Sequence, residues 1–225
     1  MDGNGRWATA RGLPRTAGHR RGVEAVRRTV KAAIAEGISY LTLYGFSSEN
    51  WKRPASEVKD LMGLLRFYLR SEIADLHKQG VRIRFIGDRS KLSRDIVRLI
   101  DDAEARTAGN TTLTLIIALS YGSRDEILGA VREMAAGIAR GEVDPQAICE
   151  EEFSRYLLTT DIPDPDLVIR TSGEQRLSNF LLWQSAYAEY EFTQTLWPDF
   201  SPAELETILN RFRMRDRRYG GTVRA

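Results

Sequence analysis

Apolar and polar positions recur along this chain with two different periods, and the switches between them mark out helices and strands. Residues 22–36 place Val23, Val26, Val30, Ala33 and Ile34 at helical spacing, with Gly37 as the stop. The apolar run at 38–44 then predicts a buried strand. Pro54 stands where a helix begins, and apolar residues continue from Val58 to Leu76 before Gly80 ends the pattern. Val81, Ile83, Phe85 and Ile86 predict a second strand over 81–86, followed by a helix over 92–107. A third strand is expected over 112–119, a helix over 123–140, a short strand at Leu167-Val168-Ile169, and a last helix over about 202–217.

Strands alternating with helices predict an α/β fold, a central and mostly parallel sheet with helices on both faces. The chain has no internal repeat, low-complexity tract or linker. Its one stiff loop, Asp161-Ile162-Pro163-Asp164-Pro165, is too short to separate domains, so residues 1–225 read as a single domain. The helix over 56–77 is apolar on more than one stripe, through Leu61, Met62, Leu64, Leu65, Phe67, Tyr68 and Leu69. It is either a core helix buried on two sides or one whose face lines an apolar cavity for a long ligand.

Composition narrows the class. Cys149 is the single cysteine of 225 residues, so no disulfide framework exists within the chain and a reducing compartment fits. No apolar run reaches the length of a membrane span and no signal-peptide pattern opens the chain, which sets the expectation of a cytoplasmic protein. The formal net charge of +2 is unevenly spread: residues 1–31 carry eight Lys/Arg against two acids, and residues 211–225 six Arg against Asp216. Two basic ends around an acidic body suit an anionic ligand or partner; a nucleic-acid binder would be more uniformly basic.

The candidate chemistry lies where glycine and polar residues follow strands. Gly45-Phe46-Ser47-Ser48-Glu49-Asn50-Trp51, Gly87-Asp88-Arg89, Ser120-Tyr121-Gly122 and Arg170-Thr171-Ser172-Gly173-Glu174 each follow a predicted strand. The carboxyl ends of parallel strands are where open α/β sheets bind ligands, so these turns point to one polar site on one sheet edge. The opening Met1-Asp2-Gly3-Asn4-Gly5-Arg6-Trp7 suits a diphosphate and its metal. Glycines admit phosphate oxygens close to backbone N–H groups, Arg6 offers a planar fork of donors, and Asp2 a hard oxygen ligand for Mg²⁺. Arg170 and Arg176, with Ser178, can hold a second phosphate group, or else form ion pairs with Glu174 and Glu189. Glu189, among aromatic and apolar neighbours, either completes a Mg²⁺ shell with Asp2 or salt-bridges an arginine.

Other chemistries find no support. His19 and His77 share no metal-ligand spacing with each other or with Cys149, which argues against zinc. His19 sits among Arg15, Gly18, Arg20 and Arg21 and can help bind phosphate, whereas His77 lies near a helix end and its dipole. Asp101-Asp102-Ala103-Glu104-Ala105 lacks the last aspartate of the Asp-Asp-x-x-Asp motif and reads as a solvated helix face. There is no Walker loop, nucleophile elbow or dinucleotide fingerprint.

With these segments assembled, the chain closely resembles the cis-prenyltransferases, specifically the bacterial undecaprenyl diphosphate synthases. The likeness runs from Asp2-Gly3-Asn4-Gly5-Arg6-Trp7-Ala8 through Gly18-His19, Phe46-Ser47-Ser48-Glu49-Asn50-Trp51 with Arg53-Pro54, and Thr107-Ala108-Gly109-Asn110-Thr111. It continues through Arg170-Thr171-Ser172-Gly173-Glu174, Arg176, Ser178-Asn179-Phe180 and Trp197-Pro198-Asp199-Phe200 to Arg218-Tyr219-Gly220-Gly221.

The resemblance implies an apolar tunnel between sheet and helices, and Mg²⁺-dependent condensation of isopentenyl diphosphate with farnesyl diphosphate. The expected product is a long Z-polyprenyl diphosphate such as undecaprenyl diphosphate, a lipid carrier precursor for the cell wall. By the same likeness, Asp2 binds Mg²⁺ and assists departure of the allylic diphosphate, with Glu189 supporting the metal. Gly5, Arg6, Arg15 and His19 hold that diphosphate, and Gly3, Asn4 and Trp7 are further substrate-binding residues. Ser47, Asn50 and Trp51 shape the reacting centre, with Asn50 as a catalytic residue and Ser48 and Glu49 also binding substrate, while Arg53 and Glu57 support substrate closure. Arg170, Arg176 and Ser178 bind isopentenyl diphosphate. A homodimer is implied, with Arg218-Tyr219-Gly220 reaching the neighbouring site, and a transient contact with the inner face of the membrane for product release.

The family has an apolar strand just before the opening motif, so the likeness implies residues upstream of Met1. Ser120-Tyr121-Gly122 replaces the usual Asn-Tyr-Gly and Gln175 a frequent His, neither of which removes a diphosphate ligand. The alternatives are a cis-prenyltransferase of different product length and a non-catalytic partner subunit of a prenyltransferase complex.

Overall fold

The computed structural model of the protein describes residues 1–215. In chain order its elements are α1 (Asn4–Thr9), α2 (Arg15–Ala35), β1 (Tyr40–Ser47), α3 (Ala55–Lys78), β2 (Val81–Ile86), α4 (Arg94–Thr107), β3 (Leu113–Tyr121), α5 (Ser123–Ala139), α6 (Glu150–Ser154), β4 (Leu167–Arg170), β5 (Glu189–Phe192) and α7 (Pro202–Arg213). They divide between two compact units. One comprises residues 1–38, 164–176 and the described chain from Gln184 onward; the other comprises residues 39–163 and 177–183.

The second of these units is built on a parallel sheet of order β1-β3-β2. The central strand β3 is nearly all buried, and its middle, Leu115 to Leu119, is an unbroken apolar run with no polar alternation. Leu115 pairs with Leu41 on one side and Ile83 on the other. Helices α3 and α4 pack on β2. Ile96, Ile100 and Ala103 form the buried stripe of α4 at helical spacing. The buried Thr107 hydroxyl then fastens the end of α4 to the sheet, donating to the Ala103 carbonyl and accepting from Ile83 N–H at 3.0 Å. On β1, Tyr44 pairs with Ala118 and Phe46 with Leu119, leaving Gly45 out of the ladder as a bulge. That irregularity redirects the strand into the 3-10 turn Ser48–Lys52.

In the other unit, β4 and β5 form a separate parallel pair, with Leu167 opposite Glu189 and Arg170 opposite Phe192. Helix α2 packs on α1, α7 and the turn Trp197–Asp199. The Trp197 indole donates to the Gly22 carbonyl at 2.8 Å and stacks on Phe200.

The α/β class with a parallel sheet stands as expected, but two particulars differ. The strand at 167–170 does not extend the main sheet; it pairs with β5, which the hydrophobic pattern missed. Glu189-Tyr190-Glu191-Phe192 does alternate, yet its acids stand where a core face was sought, held by Arg211 and Arg215. Helix α2 begins at Arg15, seven residues before the apolar pattern starts, because Gly18 and Gly22 interrupt the period. Both glycines are buried contact points: a Cβ on Gly18 would lie 1.9 Å from the Asn4 carbonyl oxygen, and one on Gly22 2.2 Å from Asn4 Oδ1.

Candidate active site

Asp2 is anchored in the first unit through its backbone. Its N–H donates to the Thr171 hydroxyl at 2.9 Å, and the same hydroxyl donates back to the Asp2 carbonyl at 2.9 Å. Trp197 N–H adds a further bond to that carbonyl. The chain leaves Asp2 through Gly3 at φ 104, where a Cβ would crowd Leu196 and Ser172. The carboxylate accepts from Gly3 N–H through Oδ1 at 2.8 Å and from Arg170 through Oδ2 at 3.0 Å. Partial burial pushes its pKa up, but the Arg170 hydrogen bond and charge and the Gly3 N–H outweigh it, so the carboxyl titrates below its ordinary value.

The arginines around it are held by internal carboxylates. Arg6 donates to the Ser172 hydroxyl and, at 3.0 Å, to Glu174 Oε1, with Asp2 Oδ1 at 3.8 Å. Arg176 pairs with Glu174 Oε2, and Arg170 also donates to the Arg176 carbonyl. Glu174 therefore spans Arg6 and Arg176, the two arginines assigned by resemblance to different diphosphates. Asn4, Gly5, Arg6 and Trp7 lie on α1, and Arg15 and His19 on α2. The Arg15 guanidinium covers Gly5, where a Cβ would meet Cζ at 2.9 Å. The Trp7 indole donates to Asp199 at 2.8 Å and carries the Arg11 guanidinium over its ring.

The second unit gathers the other motif residues. Asn50 Oδ1 accepts from Ser47 N–H at 3.2 Å, closing the turn after β1. Glu49 accepts from Asn179 Nδ2 at 2.9 Å, while Asn179 Oδ1 caps Arg124 N–H at the start of α5. The Glu49 carboxyl lies below its usual range: slight burial raises it, but the Asn179, Ser47 and Ser48 hydrogen bonds and a backbone N–H lower it further. The Trp51 indole donates to Ser120 Oγ at 2.9 Å and meets Phe46 edge-on. Arg53 pairs with Glu57 one helical turn on, at 3.1 Å. Ser120, Ser178 and Asn179 all have positive φ, an uncommon backbone for residues other than glycine, concentrated here at motif positions.

Several expectations part company with this geometry. Arg170, which holds Asp2, ends β4, whereas Glu189 stands opposite Leu167 at the start of that strand. Glu189 pairs instead with Arg215 at 2.8 Å. Among the described residues no three His, Cys, Asp or Glu side chains form a metal cage. Asp2 alone, with its carboxylate 38% exposed, still suits Mg²⁺, which takes one or two carboxylates beside substrate phosphates and water. Ser178 belongs to the second unit while Arg170 and Arg176 belong to the first. Asp101 and Asp102 are exposed, as a solvated face requires, with Asp101 paired to Arg89, but Ala103 is buried and Glu104 accepts from Phe85 N–H at 2.7 Å. His77 ends α3 and meets the Asn110 amide. Arg218-Tyr219-Gly220 lies outside the described residues. Thr171, Ser172 and Ser120 had no assigned role; the only signal was their place in strand-terminal motifs, since a hydroxyl residue carries no pattern of its own.

Residues 1–220 match the family model for undecaprenyl diphosphate synthase (Prenyltransf). The chain is 58% identical to an isoprenyl transferase of Agrobacterium fabrum over 98% of its own length and 89% of that protein's. It is 57% identical to that of Brucella suis, over 98% and 87% respectively. Two solved structures are similar: lavandulyl diphosphate synthase from Lavandula x intermedia in complex with dimethylallyl diphosphate (TM-score 0.95, 38% identity, 98% of this chain and 95% of that one), and a probable undecaprenyl diphosphate synthase from Campylobacter jejuni (TM-score 0.79, 36%, 89% and 92%). An α/β scaffold carrying these motifs is thus a prenyl-transferring enzyme. The chain belongs to the undecaprenyl diphosphate synthase family of cis-prenyltransferases.

Proposed function

We propose that the protein is a Mg²⁺-dependent cis-prenyltransferase that condenses isopentenyl diphosphate units onto farnesyl diphosphate, giving a long Z-polyprenyl diphosphate such as undecaprenyl diphosphate. The observation that carries this reading is the convergence of Asp2, Arg6, Arg170 and Ser172 in one unit, with both Asp2 oxygens and its backbone held in place. Arg6, with Gly5, Arg15 and His19, would bind the allylic diphosphate; Arg170 and Arg176, with Ser178, would bind that of isopentenyl diphosphate. An anion that takes over Arg170 leaves Asp2 Oδ2 free to serve as a metal ligand. When bound, Mg²⁺ would neutralise charge accumulating on the leaving diphosphate.

The reaction breaks the allylic C1–O bond and forms a C–C bond from the isopentenyl double bond. Loss of a C2 proton then gives the Z alkene. The protein's part is to hold two reactants in line and to present donors where negative charge grows. Asn50 contributes through the turn it closes; its amide, already an acceptor from Ser47, is no base. The diphosphate itself can take the proton. The family model spans residues 1–220, across both units, and supports reading them as one catalytic domain.

The likeness to a synthase solved with dimethylallyl diphosphate makes that compound a primer to compare with farnesyl diphosphate, and product length the open variable. We further propose a homodimer to which Arg218-Tyr219-Gly220 contributes, and a cytoplasmic enzyme that meets the membrane only to release product. Among the described residues no helix is long and apolar enough to cross a membrane.

The test is incubation with either primer, labelled isopentenyl diphosphate and Mg²⁺, with the lipid product sized. Incorporation that ceases with EDTA and with Asp2→Ala supports the reading. A folded wild-type protein that incorporates no label from either primer defeats it, and leaves the partner-subunit alternative.

A further inference from the structure

We infer that Thr171 is a positioning residue: its side-chain hydroxyl, by bonding both backbone groups of Asp2, sets where the Asp2 carboxylate meets a metal–diphosphate complex. This rests on the reading of Asp2 as a metal ligand. Thr171 is 3% exposed, and its hydroxyl fills both roles open to it, accepting from Asp2 N–H and donating to Asp2 C=O, each at 2.9 Å. One side chain thus does for Asp2 what a neighbouring strand would do for a residue in a sheet. The β-branch restricts χ1, so the hydroxyl is held on its target.

The carboxylate depends on this fixation because its Arg170 contact is one a ligand would disturb, while the Gly3 N–H on Oδ1 moves with the Asp2 backbone itself. Oδ2 rests on Arg170, 16% exposed and the first candidate to turn toward an incoming diphosphate. Once Arg170 leaves, the Asp2 backbone is located by Thr171, by Trp197 N–H on the same carbonyl and by the turn at Gly3. Of these, only Thr171 fastens the Asp2 N–H. Thr171 also follows Arg170 directly in sequence, so a shift of one is felt by the other. Misplacement of a reacting group by about 1 Å can cost on the order of a hundredfold in rate.

The experiment compares wild type, Thr171→Val, Thr171→Ala and Thr171→Ser by calorimetric titration with inorganic pyrophosphate, with and without Mg²⁺, in wild-type and Asp2→Ala backgrounds. Thr171→Val keeps the shape without the hydroxyl, Thr171→Ser keeps the hydroxyl, and Thr171→Ala stands in for the valine variant should that fail to fold. We expect removal of the hydroxyl to lower the Mg²⁺-dependent gain in pyrophosphate affinity about tenfold. Affinity without Mg²⁺, set by the arginines, should stay within about twofold, and Thr171→Ser should recover most of the gain.

In the Asp2→Ala background the hydroxyl should make no difference. A purely structural role would lower melting temperature and leave the Mg²⁺-dependent gain of the folded protein intact, and that result overturns the inference. So does a loss of equal size with and without Mg²⁺. Label incorporation by the wild type is scored separately: if it is absent while the titrations behave as expected, the positioning role stands and the substrate assignment falls.

Discussion

Arg170 serves two partners at once, the Asp2 carboxylate through Nη2 and the Arg176 carbonyl through Nη1. A guanidinium shared between a carboxylate and the backbone of its own loop ties the site together. The pairing has a consequence for pH. The Asp2 carboxyl titrates below its unfolded value of about 3.9, so its ionised form favours the native state. That contribution is fully present above the unfolded value and is lost as pH falls through the lower native one. Urea unfolding should therefore show a gap between wild type and Asp2→Asn that is constant above about pH 5 and closes below about pH 3.9. A gap that widens on acidification would mean that the Arg170 contact is absent in solution.

Gly22 makes a second residue-scale case. An added methyl would enter the space of Asn4 Oδ1 and of Trp197, and neither α1 nor the 197–199 turn can retreat without disturbing Asp2, whose carbonyl Trp197 holds. Gly22→Ala should cost about 1–3 kcal/mol of stability as overpacking, read by thermal denaturation, and weaken pyrophosphate binding. In an ordinary exposed helix the same change stabilises by about 1 kcal/mol, so the sign alone decides.

At the scale of elements, α4 and β3 carry the second unit's core. Leu115 is inserted between Leu41 and Ile83 and is 1% exposed. Leu115→Ala should cost about 2–5 kcal/mol, with cooperative unfolding retained and the denaturation midpoint lowered. These were also the elements most legible in the sequence, because a buried parallel strand is a short apolar run and an amphipathic helix follows one period. Helix α2 was half legible: the glycines that seat Asn4 are the residues that broke its pattern. Strand β5 was hidden because its face is satisfied by arginines, so charge replaced the apolar signal.

The site divided in the same way. Glycine, aspartate and arginine at 2–6 point to phosphate chemistry by residue type alone. The Thr171 clamp and the Trp51–Ser120 bond could not be read, since each joins residues more than sixty positions apart through an uncharged hydroxyl. The spacing of Glu189 from Asp2 likewise depends on a pairing between β4 and β5 that no local pattern specifies.

For the whole molecule, the decisive quantity is how tightly the protein holds what it has made. If it elongates isoprenoid diphosphates as proposed, each cycle adds five carbons while the diphosphate contacts stay the same. Burying an apolar CH₂ contributes about 0.8 kcal/mol, so one further isoprene unit fully withdrawn from water strengthens product binding by up to about 4 kcal/mol. Since 1.4 kcal/mol is about tenfold in an equilibrium constant, a few cycles suffice to make dissociation slower than any chemical step. Turnover should then show a burst of about one product per site, followed by a slower steady phase. Detergent or lipid vesicles, which give the polyprenyl chain somewhere apolar to go, should raise the steady rate and leave the burst unchanged. Linear progress curves indifferent to detergent would mean that the growing chain remains in water, and that the half-exposed apolar residues of α3, Leu61, Leu64 and Tyr68, serve packing alone.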